Sequence, residues 1–199
     1  MTRLGYDPLL RTLNNEQPAR ADTAATCRES PCAKSPDVWF LPTPENVVHA
    51  MLELACVTSD DVVFDLGSGD GRIAITAAYD YGAWAVGVEL DADLLRQSLE
   101  ASKQKGVSHL TSFVQHDLFS YDLSLATVVT LYLLPSLNLQ IRPKLLRELR
   151  PGARVVSHAF DMAEWTPDTR AEVDSSDVYV WTIDRRASEI AGPLGSLHS

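Results

Sequence analysis

Hydrophobic and polar positions change rhythm several times along this 199-residue chain. Residues 1–38 mix Asn, Glu, Pro, Ala, Thr and Ser, with little periodicity beyond a short YDPLLRTL, which predicts a flexible N-terminal arm. From Trp39 the spacing turns helical. In FLPTPENVVHAMLELACV, Val47, Val48, Met51, Leu52 and Ala55 recur on one face. Thr43 is placed there as a helix N-cap and Pro44 as the first helical residue. Short β-type runs then alternate with helical stretches. The strands are VVFDL (62–66), AVGVEL (85–90), TSFVQH (111–116), TVVTLYL (127–133) and ARVVSHAF (153–160). Between them lie GRIAITAAYDYG, DADLLRQSLEASKQKG, DLFSYDLSL and SLNLQIRPKLLRELRPG, with Lys105-Gly106 and Pro151-Gly152 as helix stops.

Strand, helix, strand at this spacing predicts an α/β fold: a mostly parallel, doubly wound sheet covered on both faces, with right-handed crossovers. After residue 160 the alternation fails. TRAEV (169–173), DSSD and VYVWTID (178–184) read as an antiparallel hairpin closing one sheet edge. The expected organisation is an arm over 1–38, one domain over 39–186 and a disordered tail over 187–199. A length of 199 residues suits one well-cored domain, and 45% hydrophobic with 22% charged residues is ordinary for a globular protein.

Charge narrows the partners. The net charge is −10, and because residues 1–39 hold five basic and five acidic side chains, all of it falls on residues 40–199. So acidic a surface repels phosphate backbones, which argues against general nucleic-acid binding. The stretch IRPKLLRELRPGAR, with Arg142, Lys144, Arg147, Arg150 and Arg154, reads as a solvated helix face or as a docking patch. Cys27, Cys32 and Cys56 make no disulfide framework, and no metal-ligand cluster is found. No apolar run approaches the roughly 18–20 residues of a membrane span, and the N-terminus has no secretory core, so a cytoplasmic location is expected.

The chemistry points to VFDLGSGDGR, residues 63–72, where Gly67, Gly69 and Gly71 follow the first strand. In open α/β sheets ligands bind at the carboxyl ends of strands, and glycines let them approach the backbone. A dinucleotide fingerprint G-x-G-x-x-G would need glycine at 72, which is Arg72; the spacing here is G-x-G-x-G. Asp65, two positions before the first glycine, would repel a pyrophosphate but pair with a cation. S-adenosyl-L-methionine carries an ammonium and a sulfonium and no phosphate. Asp65 could also cap the turn, Glu89 end a solvated strand, and Asp117 serve as an N-cap. His158 reads as a satisfied core histidine, and Trp165 and Trp181 as packing.

The segment D-L-G-S-G-D-G resembles the first motif of class I S-adenosylmethionine-dependent methyltransferases, and the resemblance extends over residues 39–184. FLPTPENVV, LYLLP, RPKLLREL-PG-RVVSH-F and W-x-P-D resemble, more narrowly, a small prokaryotic group related to the ATP synthase c-subunit lysine methyltransferases. The resemblance implies a Rossmann-like fold and a cofactor site formed by Thr43, Asp65, Gly67, Ser68, Gly69, Gly71, Glu89 and Asp117. Glu89, 24 positions after Asp65, falls where the family holds the ribose hydroxyls, and Asp117 where it contacts the adenine amino group. Departures are Phe40 in place of an expected Tyr and a polar rather than hydrophobic segment ahead of the domain.

The acceptor is expected beyond the fourth strand, at Thr130-Leu131-Tyr132-Leu133-Leu134-Pro135. This lacks the N-P-P-Y or D-P-P-Y of many base-nitrogen methyltransferases. Tyr132 is the candidate catalytic residue, either shaping the acceptor pocket or packing at a strand end. The expected function is methyl transfer from S-adenosyl-L-methionine to a protein lysine, leaving S-adenosyl-L-homocysteine. The alternatives are a small amine, thiol or metabolite as acceptor, a non-catalytic cofactor-binding partner protein, and a nicotinamide oxidoreductase, which the glycine spacing disfavours.

Overall fold

The computed structural model describes residues 41–184. The expected arm over 1–38 and tail over 187–199, together with Cys27 and Cys32, lie outside the described residues. Cys56 is a free, exposed thiol. Among the described residues, four helices and seven strands follow in chain order: α1 (Glu45–Leu54), β1 (Val62–Leu66), α2 (Arg72–Tyr81), β2 (Trp84–Glu89), α3 (Ala92–Lys105), β3 (Thr111–Gln115), β4 (Val128–Leu131), α4 (Pro135–Glu148), β5 (Arg154–His158), β6 (Thr169–Val173) and β7 (Ser176–Thr182).

The strands form one sheet of order β3-β2-β1-β4-β5-β7-β6. The first five run parallel; β7 runs antiparallel to β5 and to β6. The chain winds outward from β1 to β3, then returns to lay β4 on the other side of β1. Connections leaving β1 and β4 therefore diverge and open a crevice at the carboxyl ends of the strands.

Side chains alternate across the sheet, so register decides which residues share a face. Val63, Ala85, Phe113, Val128, Val156, Val178 and Val180 join Val47, Val48, Met51 and Leu52 of α1 and Ile73, Ala74, Ala77 and Ala78 of α2 in one core. By the same alternation Asp65, Thr130 and His158 belong to this face. The opposite face carries Ser157, to which Asn138 of α4 donates at 3.0 Å. Burying such apolar area, at about 25 cal/mol per Å², is the main force holding helices to sheet. Among the described residues, no helix is long and apolar enough to cross a membrane.

Three local expectations are corrected. Thr43 does not cap α1: the helix starts at Glu45 behind Pro44 with no side-chain cap, and the Thr43 hydroxyl meets His158 Nδ1 at 3.3 Å instead. DLFSYDLSL forms no helix. Asp117 Oδ1 accepts from Phe119 N at 3.0 Å and Asp122 Oδ1 from Ser124 N at 2.9 Å, so side chains claim the amides a helix would need. The basic stretch is not simply solvated either. Lys144 is buried in an ion pair with Glu148 at 2.5 Å, and Arg142 donates to the Met162 carbonyl at 2.7 Å.

The terminal hairpin turns tightly through Asp174 and Ser175, both at positive φ (47° and 65°), the conformation that two-residue hairpin loops demand. No helix intervenes between β5 and β6.

Asp61 ties the sheet's lower edge together. It accepts from the Thr58 amide at 2.8 Å and the Thr127 hydroxyl at 2.7 Å, and it pairs with Arg154. Burial alone would raise its pKa; the hydrogen bonds from Thr127 and Thr58 and the Arg154 charge outweigh that and hold it low. Asp61→Ala is expected to destabilise the protein by about 2–4 kcal/mol, read from chemical denaturation at pH 7, because Arg154 and Thr127 lose their acceptor.

Candidate functional site

The site begins where β1 ends. Asp65 lies opposite Thr130 of β4 and Gly87 of β2, and its side chain is 2% exposed. Oδ1 accepts from the Thr130 hydroxyl at 2.8 Å, whereas Oδ2, equally buried, has no partner. Burial pushes the carboxyl up to about 7; Thr130 opposes this, and the nearby Glu89 and Asp70 charges add to it. A buried carboxylate with one oxygen unanswered is costly unless a cation completes it.

The glycine turn wraps this carboxylate. Gly67, Gly69 and Gly71 all have positive φ, at 77°, 56° and 78°, so the three share a backbone demand that other residues meet poorly. Two are also crowded: a Cβ on Gly67 would lie 2.9 Å from Leu133 Cδ2, and one on Gly71 2.7 Å from Phe113. The fold itself thus accounts for Gly67 and Gly71. The amides of Gly67 and Ser68 both donate to the Val88 carbonyl, at 2.9 and 3.1 Å. The Ser68 hydroxyl is buried without a partner.

Glu89, at the end of β2, buttresses the turn. Its Oε2 accepts from Gly69 N at 2.9 Å and its Oε1 from Leu90 N and Asp91 N at 2.7 and 2.9 Å. A carboxylate offers about four lone-pair directions, so one remains for a hydroxyl donor. Asp117, after β3, is half-buried and closes its own turn, so its N-cap reading becomes a turn without a helix.

Thr43 is held from two sides. Its carbonyl accepts from Arg72 Nη1 at 2.9 Å, while Arg72 grips Asp70 through Nε and Nη2, the latter at 2.6 Å. Its hydroxyl meets His158. The His158 ring in turn lies on that of Tyr132, centroids 4.0 Å apart and planes tilted by 32°. Burial lowers the His158 pKa, which keeps the imidazole neutral at pH 7. The structure therefore brings Asp65, Gly67, Ser68, Gly69 and Gly71 together at one turn, bonds Glu89 to it and links Thr43 to it through Arg72; Asp117 follows His116, whose amide donates to the Glu89 carbonyl at 3.0 Å. His158 is buried, as a core histidine would be, yet it contacts two candidate residues. Sequence reasoning missed that pairing, although the RVVSH strand end was its available signal. It also missed Gly87, where a Cβ would fall 2.5 Å from Phe113 and 2.7 Å from Ser68 Oγ.

A parallel sheet with a crevice at its switch point, an acid ending the first strand and glycines opening the next helix define a nucleotide-type cofactor fold with a cation-seeking carboxylate. Comparison with known proteins makes this specific. Residues 65–169 match the family described as the ANTKMT methyltransferase domain. A protein-lysine N-methyltransferase of Saccharolobus islandicus is 46% identical over 153 residues, spanning 74% of this chain and 95% of that protein. The ATP synthase c-subunit lysine N-methyltransferase of Homo sapiens is 33% identical over 180 residues, 87% of this chain and 74% of that one. The crystal structure of an RNA methyltransferase from Salinibacter ruber in complex with S-adenosyl-L-homocysteine superposes with a TM-score of 0.72 at 53% identity, covering 73% of this chain and 95% of that chain. The chain belongs to this methyltransferase family, and the class I S-adenosylmethionine-dependent resemblance of D-L-G-S-G-D-G is borne out.

Asp65 carries a testable energetic signature. Its folded pKa of about 7 exceeds the ordinary 3.8, so the native state keeps a proton that the unfolded chain has released between those pH values. Stability from this group is therefore greatest at low pH and falls as pH rises toward 7. Asp65→Asn is expected to raise the melting temperature of the ligand-free protein at pH 8, with the gain shrinking toward pH 5 in scanning calorimetry.

Proposed function

We infer that the protein transfers the methyl group of S-adenosyl-L-methionine to the ε-amine of a protein lysine. The observation that carries the cofactor half is the buried, unpartnered Asp65 Oδ2 beside a glycine turn, which fits a ligand bearing an ammonium and no phosphate. Thr43, Gly67, Ser68, Gly69 and Gly71 would surround it, Glu89 would accept from a ribose hydroxyl and Asp117 would face the adenine amino group. When bound, S-adenosyl-L-methionine supplies a methyl group on a sulfonium, an electrophile that needs no further activation.

The acceptor half is supported by the end of β4. Leu131 is fully buried, Leu133 abuts Gly67, and the half-buried Tyr132 stacks on a neutral imidazole. An apolar, uncharged mouth favours a lysine in its neutral, nucleophilic form, because desolvation penalises the ammonium. Catalysis is then mainly alignment and exclusion of water. The lysine-directed activity named for the Saccharolobus islandicus and Homo sapiens relatives agrees with this reading, as does a net charge of −10, which suits a basic protein segment better than a phosphate backbone. The name of the Salinibacter ruber protein favours a second reading, RNA as acceptor.

Labelled-methyl transfer separates the readings. Incubating the protein with methyl-labelled S-adenosyl-L-methionine and fractionated extract is expected to label protein, at lysine by mass spectrometry; label confined to RNA or to small metabolites would overturn the lysine reading. Asp65 offers a second check, on the cofactor alone. An ammonium favours the ionised carboxyl, so below pH 7 binding must expel a proton. Affinity for S-adenosyl-L-homocysteine is expected to fall by up to about tenfold per pH unit below 7, measured by calorimetry. Asp65→Asn should bind weakly at every pH.

A further inference from the structure

We propose that His158 touches the methyl acceptor: its Nε2 accepts a hydrogen bond from the acceptor amine and turns the nitrogen lone pair toward the methyl group. The inference rests on the reading of an amine as acceptor, and it assigns a role to a side chain that alternation alone leaves as a core residue.

Three observations carry it. First, His158 ends β5 on the same sheet face as Asp65 and Thr130, beside β4, and its ring lies on Tyr132 at 4.0 Å. Second, only one ring nitrogen is engaged. Nδ1 meets the Thr43 hydroxyl at 3.3 Å, and Nε2 has no hydrogen-bond partner among the described residues. With Nδ1–H donating to Thr43 Oγ1, Nε2 presents a lone pair and can only accept. Thr43 is itself fixed through Arg72 to the glycine turn, so the ring's orientation is set by the cofactor side of the crevice.

Third, the backbone that presents His158 is strained and firmly held. Ala159, the next residue, has φ 67°, a conformation costly for a residue with a Cβ. The turn persists because its neighbours determine it. The Ala159 amide donates to the Asp177 carbonyl at 2.7 Å, the Phe160 amide to the His158 carbonyl at 2.9 Å, and the Phe160 carbonyl accepts from both Ser157 Oγ and Asn138 Nδ2, at 2.7 and 3.2 Å. Asn138 and Ser157 are both fully buried, so this support reaches through the sheet from α4. Strain maintained at such expense clusters where a side chain must be aimed.

The chemistry balances without a further co-reactant. The acceptor ammonium first releases one proton to water. The neutral amine then keeps an N–H on Nε2, its lone pair forms the N–C bond, and the electrons of the C–S bond remain on sulfur. The product leaves as a methylammonium, for which Nε2 remains an acceptor.

The test needs no substrate. Sinefungin is a cofactor analogue in which a carbon bearing an amine replaces the sulfonium and its methyl, so it sets an amine where the methyl group would stand. Binding of sinefungin and of S-adenosyl-L-homocysteine is measured by calorimetry for the wild type, His158→Asn and His158→Gln. Asn mimics the Nδ1 side of the ring and Gln the Nε2 side. His158→Asn is expected to lose about tenfold in sinefungin affinity, the scale of one such hydrogen bond, while S-adenosyl-L-homocysteine changes by less than about twofold. His158→Gln should recover most of the sinefungin affinity. Equal losses for both ligands, or none for sinefungin in His158→Asn, would overturn the proposal.

Should His158→Asn fail to fold, the wild type decides by long-range proton–nitrogen NMR of its imidazoles. The His158 signals are assigned by elimination through substitutions of His49, His109, His116 and His198. An unprotonated Nε2 that shifts with sinefungin and not with S-adenosyl-L-homocysteine supports the role; a protonated Nε2, or equal responses, refutes it. A wild type that binds neither ligand would overturn the cofactor reading along with the proposal. The lysine reading stands or falls separately, in the labelled-methyl experiment.

Discussion

One carboxylate, Asp65, sets the terms for the rest of the molecule. It is buried at the end of β1 with Thr130 on one oxygen and nothing on the other. Leaving a polar atom so placed costs stability, and the same burial raises the pKa of its carboxyl. The structure tolerates it because the strands on either side, β2 and β4, are held by register and apolar burial that do not depend on it. A fold optimised only for stability would place an apolar residue there. In the proposed reading, the carboxylate is retained because a cationic cofactor would complete it at the switch point of the sheet.

From that carboxylate two lines of support run outward. One passes through the glycine turn to Glu89, whose oxygens take three backbone amides and so hold the loop against β2. The other passes through Asp70 and Arg72 to the Thr43 carbonyl, and through the Thr43 hydroxyl to His158 and Tyr132. The segment ahead of α1 thus bridges the glycine turn and the ends of β4 and β5. The charged links, Arg72 to Asp70 and the amides to Glu89, are the stronger ones, because a hydrogen bond to an ionised group outweighs a neutral one. The result is a crevice whose two ends are positioned relative to each other by side chains rather than by backbone alone.

Much of the fold was legible in the chain because its signals are local. The strand 62–66 and the strand 169–173 were read at their observed limits, and the other strands within a few residues, because runs of Val, Ile and aromatic residues between turn signals have few other uses. The helix after Thr43 was legible from its apolar face, but its cap was not. Thr43 has the right side chain in the right place, and a partner 115 residues away takes it instead. DLFSYDLSL failed as a helix for the opposite reason, since its own Asp117 and Asp122 compete for the amides within two residues. Lys144 reads as a surface residue until Glu148, one helical turn on, gives it a buried partner.

By itself the chain determined the order of strands and helices, the glycine turn with its leading acid, and the spacing that separates this turn from a dinucleotide fingerprint. All of these are encoded within windows of a few residues, where backbone propensity and side-chain type act directly. Tertiary structure alone decided that one oxygen of Asp65 is unanswered, that Gly71 and Gly87 make room for Phe113, and that His158 stands between Thr43 and Tyr132. Those facts depend on register between strands far apart in sequence, where a shift of one residue would turn each side chain to the other face of the sheet.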